Sequence, residues 1–220
     1  MLDKKLTIVL IFLTLISLAI GMTTVDSNGY GSMINSLSVG FVVSSIFYFL
    51  VVYMPEYKRR NMARERLEDE YIRFKMSCIN TFLILSDSQE YSNKEKLLNL
   101  SEFRCYFKME NRQGEKRWDA IANSLEGNEY YLKEVIYHLR MLNEEIRYTR
   151  NATNLNDPEV FDFLNRLSQI IVRMELAEKE YDDVKSLCRF LWAIFTGWDL
   201  AKGYSDSDIV KDMIGRANKT

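Results

Sequence analysis

Hydrophobic residues crowd the first quarter of the chain. Leu6 to Met22 and Met33 to Met54 contain no charged residue. A hydrocarbon core of about 30 Å needs roughly 20 helical residues. The second run is long enough, and the first is just so once Thr23 and Thr24 extend it. Between them, Thr24 to Ser32 includes Asp26, Asn28, Gly29 and Gly31, which is turn chemistry. The pattern predicts a two-helix transmembrane hairpin over residues 1–54. The competing reading is a cleaved signal peptide, which Lys4-Lys5, the apolar run and Ser17-Leu18-Ala19 imitate. The second run, following after so short a polar loop, favours the hairpin.

Beyond Pro55 the spacing becomes that of amphipathic helices. Leu67, Tyr71, Phe74, Cys78 and Phe82 form one stripe, and Leu132, Val135, Leu139, Leu142, Ile146 and Thr149 form another. The longest runs through Phe163, Leu167, Ile170, Met174, Ala177, Tyr181, Val184, Cys188, Leu191 and Phe195 in unbroken heptads. Asp157 as N-cap, Pro158 in the first turn and Glu159 after it predict the start of that helix. Gly197 or Gly203 is expected to end it, giving roughly 40 residues and about 60 Å.

Shorter helices are expected around it. Ser92 to Glu95 reads as a capping box opening a helix through Leu97, Phe103 and Phe107. Gly114 and Gly127 bracket another around Trp118, Ile121 and Leu125, and Asp206 is placed to cap a last one carrying Ile209, Val210, Met213 and Ile214. The expected fold is all-α. A transmembrane hairpin precedes a cytoplasmic helical bundle over 55–220, with a long heptad-patterned helix near its C-terminus. The heptads could pair within one chain or between chains. A bend is expected at Met54, because the residue before a proline avoids the α region.

Composition agrees. Two prolines and nine glycines in 220 residues are too few for the turns of an all-β fold. The mean hydropathy of −0.20 averages an apolar population and a charged one. Lys4 and Lys5 precede the first span, Lys58, Arg59, Arg60, Arg64 and Arg66 follow the second, and the loop between holds no Lys or Arg. By the positive-inside rule both termini are cytoplasmic. The glycosylation-like motifs at Asn99, Asn151 and Asn218 then have no function. The basic cluster after Pro55, with Tyr48 and Tyr53 at the membrane boundary, is expected to meet lipid headgroups.

Small residues within the spans are regularly placed. Ser36, Gly40 and Ser44 recur every fourth residue, and Thr7, Thr14 and Gly21 every seventh, with Ser17 nearby. Such stripes let helix backbones approach closely in lipid. They can pack on each other within one hairpin, or serve self-association into a homo-oligomer with hydroxyls along a water path. Neither span carries an ionisable residue, which argues against a proton relay.

Candidate chemistry is sparse. His138 is the one histidine and has no ligand-type partner at zinc spacing, and Cys78, Cys105 and Cys188 are far apart. No phosphate loop or nucleophile elbow is present. The chain is therefore expected to be no enzyme, with no catalytic, cofactor or metal site. With 29 basic and 31 acidic residues it is not expected to bind nucleic acid directly. One uncharged run, Phe190 to Trp198, stands out. Phe190, Trp192, Phe195 and Trp198 either fill the centre of the bundle or dock a partner.

The stretch Ser38-Val-Gly-Phe-Val-Val-Ser-Ser-Ile-Phe-Tyr-Phe-Leu-Val-Val-Tyr-Met-Pro-Glu-Tyr-Lys-Arg-Arg60 resembles the second helix of small membrane proteins in bacterial anti-phage operons. The two-transmembrane effectors of retron defence systems are the class it is most similar to. The resemblance implies a dormant, multi-pass protein of the bacterial inner membrane. It would be restrained by a reverse transcriptase bound to its DNA-RNA product and released on phage attack to permeabilise the membrane. The alternative is a non-toxic anchor or scaffold that presents a helical interaction domain at the cytoplasmic face.

Overall fold

The structure is a computed structural model and describes residues 4–23, 30–152, 157–199 and 203–217. Asp26, Asn28 and Gly29 of the linking loop, and the side chains of Lys4, Lys5 and Thr7, lie outside the described residues. The fold is all-α. Extended pairing among the described residues is confined to one ladder, β1 (Trp198–Asp199) against β2 (Gly203–Tyr204), and a single bridge between Glu110 and Lys116. The chain divides into two compact units, the first ending at Met62 and the second beginning at Ala63.

In the first unit α1 (Lys4–Thr23) packs on α2 (Tyr30–Tyr48). A π-helical turn, Phe49–Tyr53, follows α2 and leads into α3 (Met54–Leu85). The bend predicted at Met54 is absent: that residue is α-helical, at φ −64° and ψ −44°. A proline inside a helix removes one amide donor and crowds the carbonyl four residues earlier. Here the backbone widens by one residue before Pro55, and the Met54 N–H reaches the Phe49 carbonyl instead. The helical run from Gly31 to Leu85 is thus continuous over 55 residues, and its apolar part is long enough to cross a membrane. Ile8–Thr23 is a shorter apolar helix.

The second unit takes its core from the rest of α3 together with α4 (Leu100–Lys108), α5 (Arg117–Gly127), α6 (Glu129–Ala152), α7 (Pro158–Glu175), α8 (Tyr181–Thr196) and α9 (Ile209–Arg216). Both stripes read from α3 and α6 are buried along their length, from Leu67 to Phe82 and from Leu132 to Thr149. At the core's centre Phe82 meets the rings of Phe103, Phe107, Trp118 and Phe195.

The single long helix from Pro158 does not form. It stops at Glu175, and α8 starts at Tyr181. The last turn tightens as the Leu176 and Ala177 amides bond the Arg173 and Met174 carbonyls, three residues back. The Glu178 amide then turns to the Asp183 carboxylate, at 3.1 Å. An acidic side chain at the start of α8 thereby captures a donor that a continuous helix would have used. The heptad positions hold in α8, where Val184, Cys188, Leu191 and Phe195 are buried, and slip in α7: Ile170 and Tyr181 are exposed, and Val160, Leu164, Ser168 and Ile171 are buried beside Leu167.

Two caps also differ from those predicted. Asn99, not Ser92, opens α4 by accepting from the Ser101 and Glu102 amides, and Lys94–Leu98 before it is a 3₁₀ turn. Asp208, not Asp206, caps α9 by accepting from the Lys211 amide. Asp157 and Gly197 act as read. Asp157 caps α7 and accepts from the Glu159 and Val160 amides. Gly197 ends α8 in the left-handed region at φ +66°, where a Cβ would come within 3.0 Å of Leu100 Cδ1.

Candidate functional site

The six small residues predicted to pack the spans separate into two groups. Ser17 and Gly21 lie against α2. The Ser17 hydroxyl donates to the Ser38 carbonyl at 3.2 Å, and a Cβ on Gly21 would sit 3.4 Å from Asn35 Oδ1 and 3.5 Å from Ser38 Cβ. Thr14 is half-buried and donates to the Leu10 carbonyl. On α2 the buried small residues are Gly31, Ser38 and Ser45. Ser36, Gly40 and Ser44 are exposed, and nothing lies within 4 Å of a Cβ built on Gly40.

Packing of the two predicted stripes on each other is therefore corrected. The intra-hairpin contact uses Ser38 and its neighbours, while the Ser36–Gly40–Ser44 face is turned away from α1. Helical spacing explains the split, since residues 38 and 45 lie on a different side of a 3.6-residue helix from 36, 40 and 44. The Ser36 hydroxyl donates to the Ser32 carbonyl, so that donor is satisfied within its own helix.

The juxtamembrane basic residues are largely neutralised within the chain. Arg59 and Arg60 both pair with Glu56, at 2.9 and 3.2 Å. Arg64 lies 3.9 Å from Glu65, and Arg66 pairs with Glu145 at 3.3 Å while covering the Tyr148 ring. Lys58 is exposed and has no such pairing among the described residues.

The four residues read as a docking segment also divide. Phe195 is fully buried among Phe74, Phe82 and Phe103 and is core, which corrects its assignment to docking. Phe190 is half-buried against the same core. Trp192 and Trp198 instead line a groove of about 550 Å³ between α5 and α8. Trp118 of α5 lines it too, with its ring 4.9 Å from that of Trp192, and the Trp192 indole N–H donates to the Tyr204 hydroxyl at 3.4 Å. Trp118 was missed as a site residue because it reads as one apolar position of a short helix. The available signal was number: the chain has three tryptophans, and all of them line this groove.

A second polar feature is structural. Lys75 is 2% exposed, and its ammonium lies 3.0 Å from Asp208 Oδ2, between the rings of Tyr71 and Phe195. The Tyr71 hydroxyl donates to the same carboxylate at 2.9 Å. Burial lowers the Lys75 pKa, and the Asp208 charge opposes that shift. Burial, with the Asp208 charge behind it, holds the Tyr71 phenol well above its usual value. The cluster fastens α9 to α3.

Burial pushes the Cys188 thiol up to about 12 and also raises Cys78, so neither is a ready nucleophile. His138 is half-buried beside Tyr137, and the described residues contain no group of three metal-ligating side chains. No protein-family model, no curated protein and no solved structure matches the chain.

Proposed function

We propose that the chain is a membrane-embedded effector of bacterial antiviral defence. It self-associates through its second span and permeabilises the inner membrane when a restraining complex releases it. The observation that carries this reading is the face of Ser36, Gly40 and Ser44, which the contact with α1 leaves exposed. In lipid, where apolar burial gives no drive for association, a small-residue face is where a second helix can approach closely. The large apolar residues beside it, among them Leu37, Val43 and Phe47, are exposed, as lipid-facing residues are. In this reading α1 and α2 both cross the bilayer, the termini are cytoplasmic, and the second unit meets the restrainer. The retron-type resemblance proposes as restrainer a reverse transcriptase with its DNA-RNA product.

Expression of the chain in bacteria, followed with a potential-sensitive dye, tests this. The native chain is expected to depolarise the cells, and Gly40→Leu with Ser44→Leu to abolish depolarisation at equal membrane abundance. Depolarisation that survives the double substitution contradicts assembly through this face. The other reading, a non-toxic anchor presenting an interaction domain, is favoured by the aromatic groove of the second unit. It predicts no depolarisation at any expression level.

A further inference from the structure

The groove between α5 and α8 carries more than aromatic surface. Val184 and Cys188 are its buried apolar part. Its α5 side contributes Asp119 and Glu126, and its α8 side Lys185 and Arg189. Opposite charges across a narrow cleft would ordinarily pair. Here Asp119, Glu126 and Arg189 have no hydrogen-bond or ion-pair partner among the described residues, and Lys185 bonds only the Tyr181 hydroxyl, at 3.2 Å. The two sets of charges thus line the cavity from its two helices without pairing among the described residues.

We propose that this groove binds a purine mononucleotide. Its volume of about 550 Å³ lies within the range of small-molecule sites, about 300–1,000 Å³. The indole rings offer stacking surface to a base, an interaction worth most with the larger ring system. Lys185 and Arg189, one helical turn apart on α8, suit a phosphate. Asp119 and Glu126 are acceptors for donors on the base, the exocyclic amino group of adenine or the amino group and N1–H of guanine; the Asn123 amide beside them is already engaged by Glu115.

Other occupants fit less well. A quaternary ammonium would gain from the rings and carboxylates but would meet Lys185 and Arg189 as like charges. An apolar side chain from a partner would leave both sets of charges without counterparts. A purine nucleotide uses the rings and both signs of charge. This inference is independent of whether the spans assemble, since it concerns the second unit alone.

Because every tryptophan lines the groove, indole fluorescence of the full chain in detergent reports on this site and no other. Excited at the red edge of the indole band, the protein is titrated with AMP, GMP, CMP, adenosine, choline and inorganic phosphate. AMP or GMP is expected to quench saturably, with CMP and adenosine weaker by about tenfold. Arg189→Ala should weaken the purine nucleotide by about tenfold and leave adenosine unchanged. Asp119→Asn with Glu126→Gln should weaken both. A thermal melt confirms that each variant is folded; the substituted side chains make no hydrogen bond or ion pair among the described residues. The proposal is overturned if no purine nucleotide quenches saturably, if choline quenches and nucleotides do not, or if quenching is unchanged by all these substitutions.

Discussion

Phe82 has four aromatic neighbours, with ring centroids 5.4 Å away for Phe195 and Trp118, 6.2 Å for Phe107 and 6.3 Å for Phe103. Truncating a ring so enclosed leaves a cavity that its neighbours cannot close. Phe82→Ala is expected to cost about 3–5 kcal/mol, read as a lower denaturation midpoint of the second unit. The Lys75–Asp208 pair gives a different kind of prediction. Asp208→Ala strands a buried ammonium and removes the cap of α9, for a loss of about 3–5 kcal/mol. Adding Lys75→Met should recover most of it, because the stranded charge is gone. If the double variant is no more stable than the single one, the cost lies in the cap and not in the ion pair.

The Arg216 guanidinium lies 2.7 Å from Asp157 and 2.6 Å from Glu159, tying the end of α9 to the start of α7. Its hydrogen bond is the main cause holding the Asp157 carboxyl below its ordinary range, with the Glu159 and Val160 amides adding to it. A carboxylate with a lowered folded-state pKa contributes stability that is complete above its unfolded pKa, about 3.9, and is lost as pH falls through the folded value. Thermal melts taken from neutral pH into that acid range should show this loss. In Asp157→Asn the acid limb should be shallower. An unchanged acid limb would mean that other carboxylates carry it.

At the scale of elements, legibility in the sequence followed burial. The stripes of α3 and α6 face one core along their length, and every position that periodicity picked from Leu67 to Phe82 and from Leu132 to Thr149 is buried; Lys75, Ile79, Thr81, Ile136 and Asn143 beside them are buried too and were not in the stripes. The region of α7 and α8 was misread for a physical reason. Two amphipathic helices joined by a turn can keep a heptad phase in sequence while pointing different sides at the core. The break depends on local hydrogen bonding at Glu178 and Asp183, which no apolar pattern encodes.

The turn between those helices has a kinetic signature. Amides of residues 176–180 should exchange with solvent much faster than those in the middle of α7 or α8. Uniform protection from Val160 to Phe195 would restore the single long helix. The proline effect was similarly hidden. A helix-breaking preference at Met54 was legible, but the π turn that absorbs it is a property of the backbone as a whole.

The groove was half legible. Trp192 and Trp198 fall in one conspicuous uncharged run, whereas Trp118 lies more than seventy residues earlier in the chain, and only folding brings it beside them. Phe195 belongs to that same run and faces the opposite way, into the core. An uncharged segment therefore split its residues between packing and surface, as an amphipathic helix does when its polar face is replaced by aromatic residues.

For the whole molecule, the central proposal is assembly through the outward face of the second span. Ser38 and Gly40 are two residues apart, yet one packs against α1 and the other does not. Single cysteines placed at each position therefore separate contact within a chain from contact between chains. The measurement is crosslinking in native membranes, in a Cys105→Ser background that removes the exposed natural thiol. Gly40→Cys is expected to give covalent dimers readily, and Ser38→Cys few. Dimers formed equally from both positions, or from neither, would contradict assembly through this face.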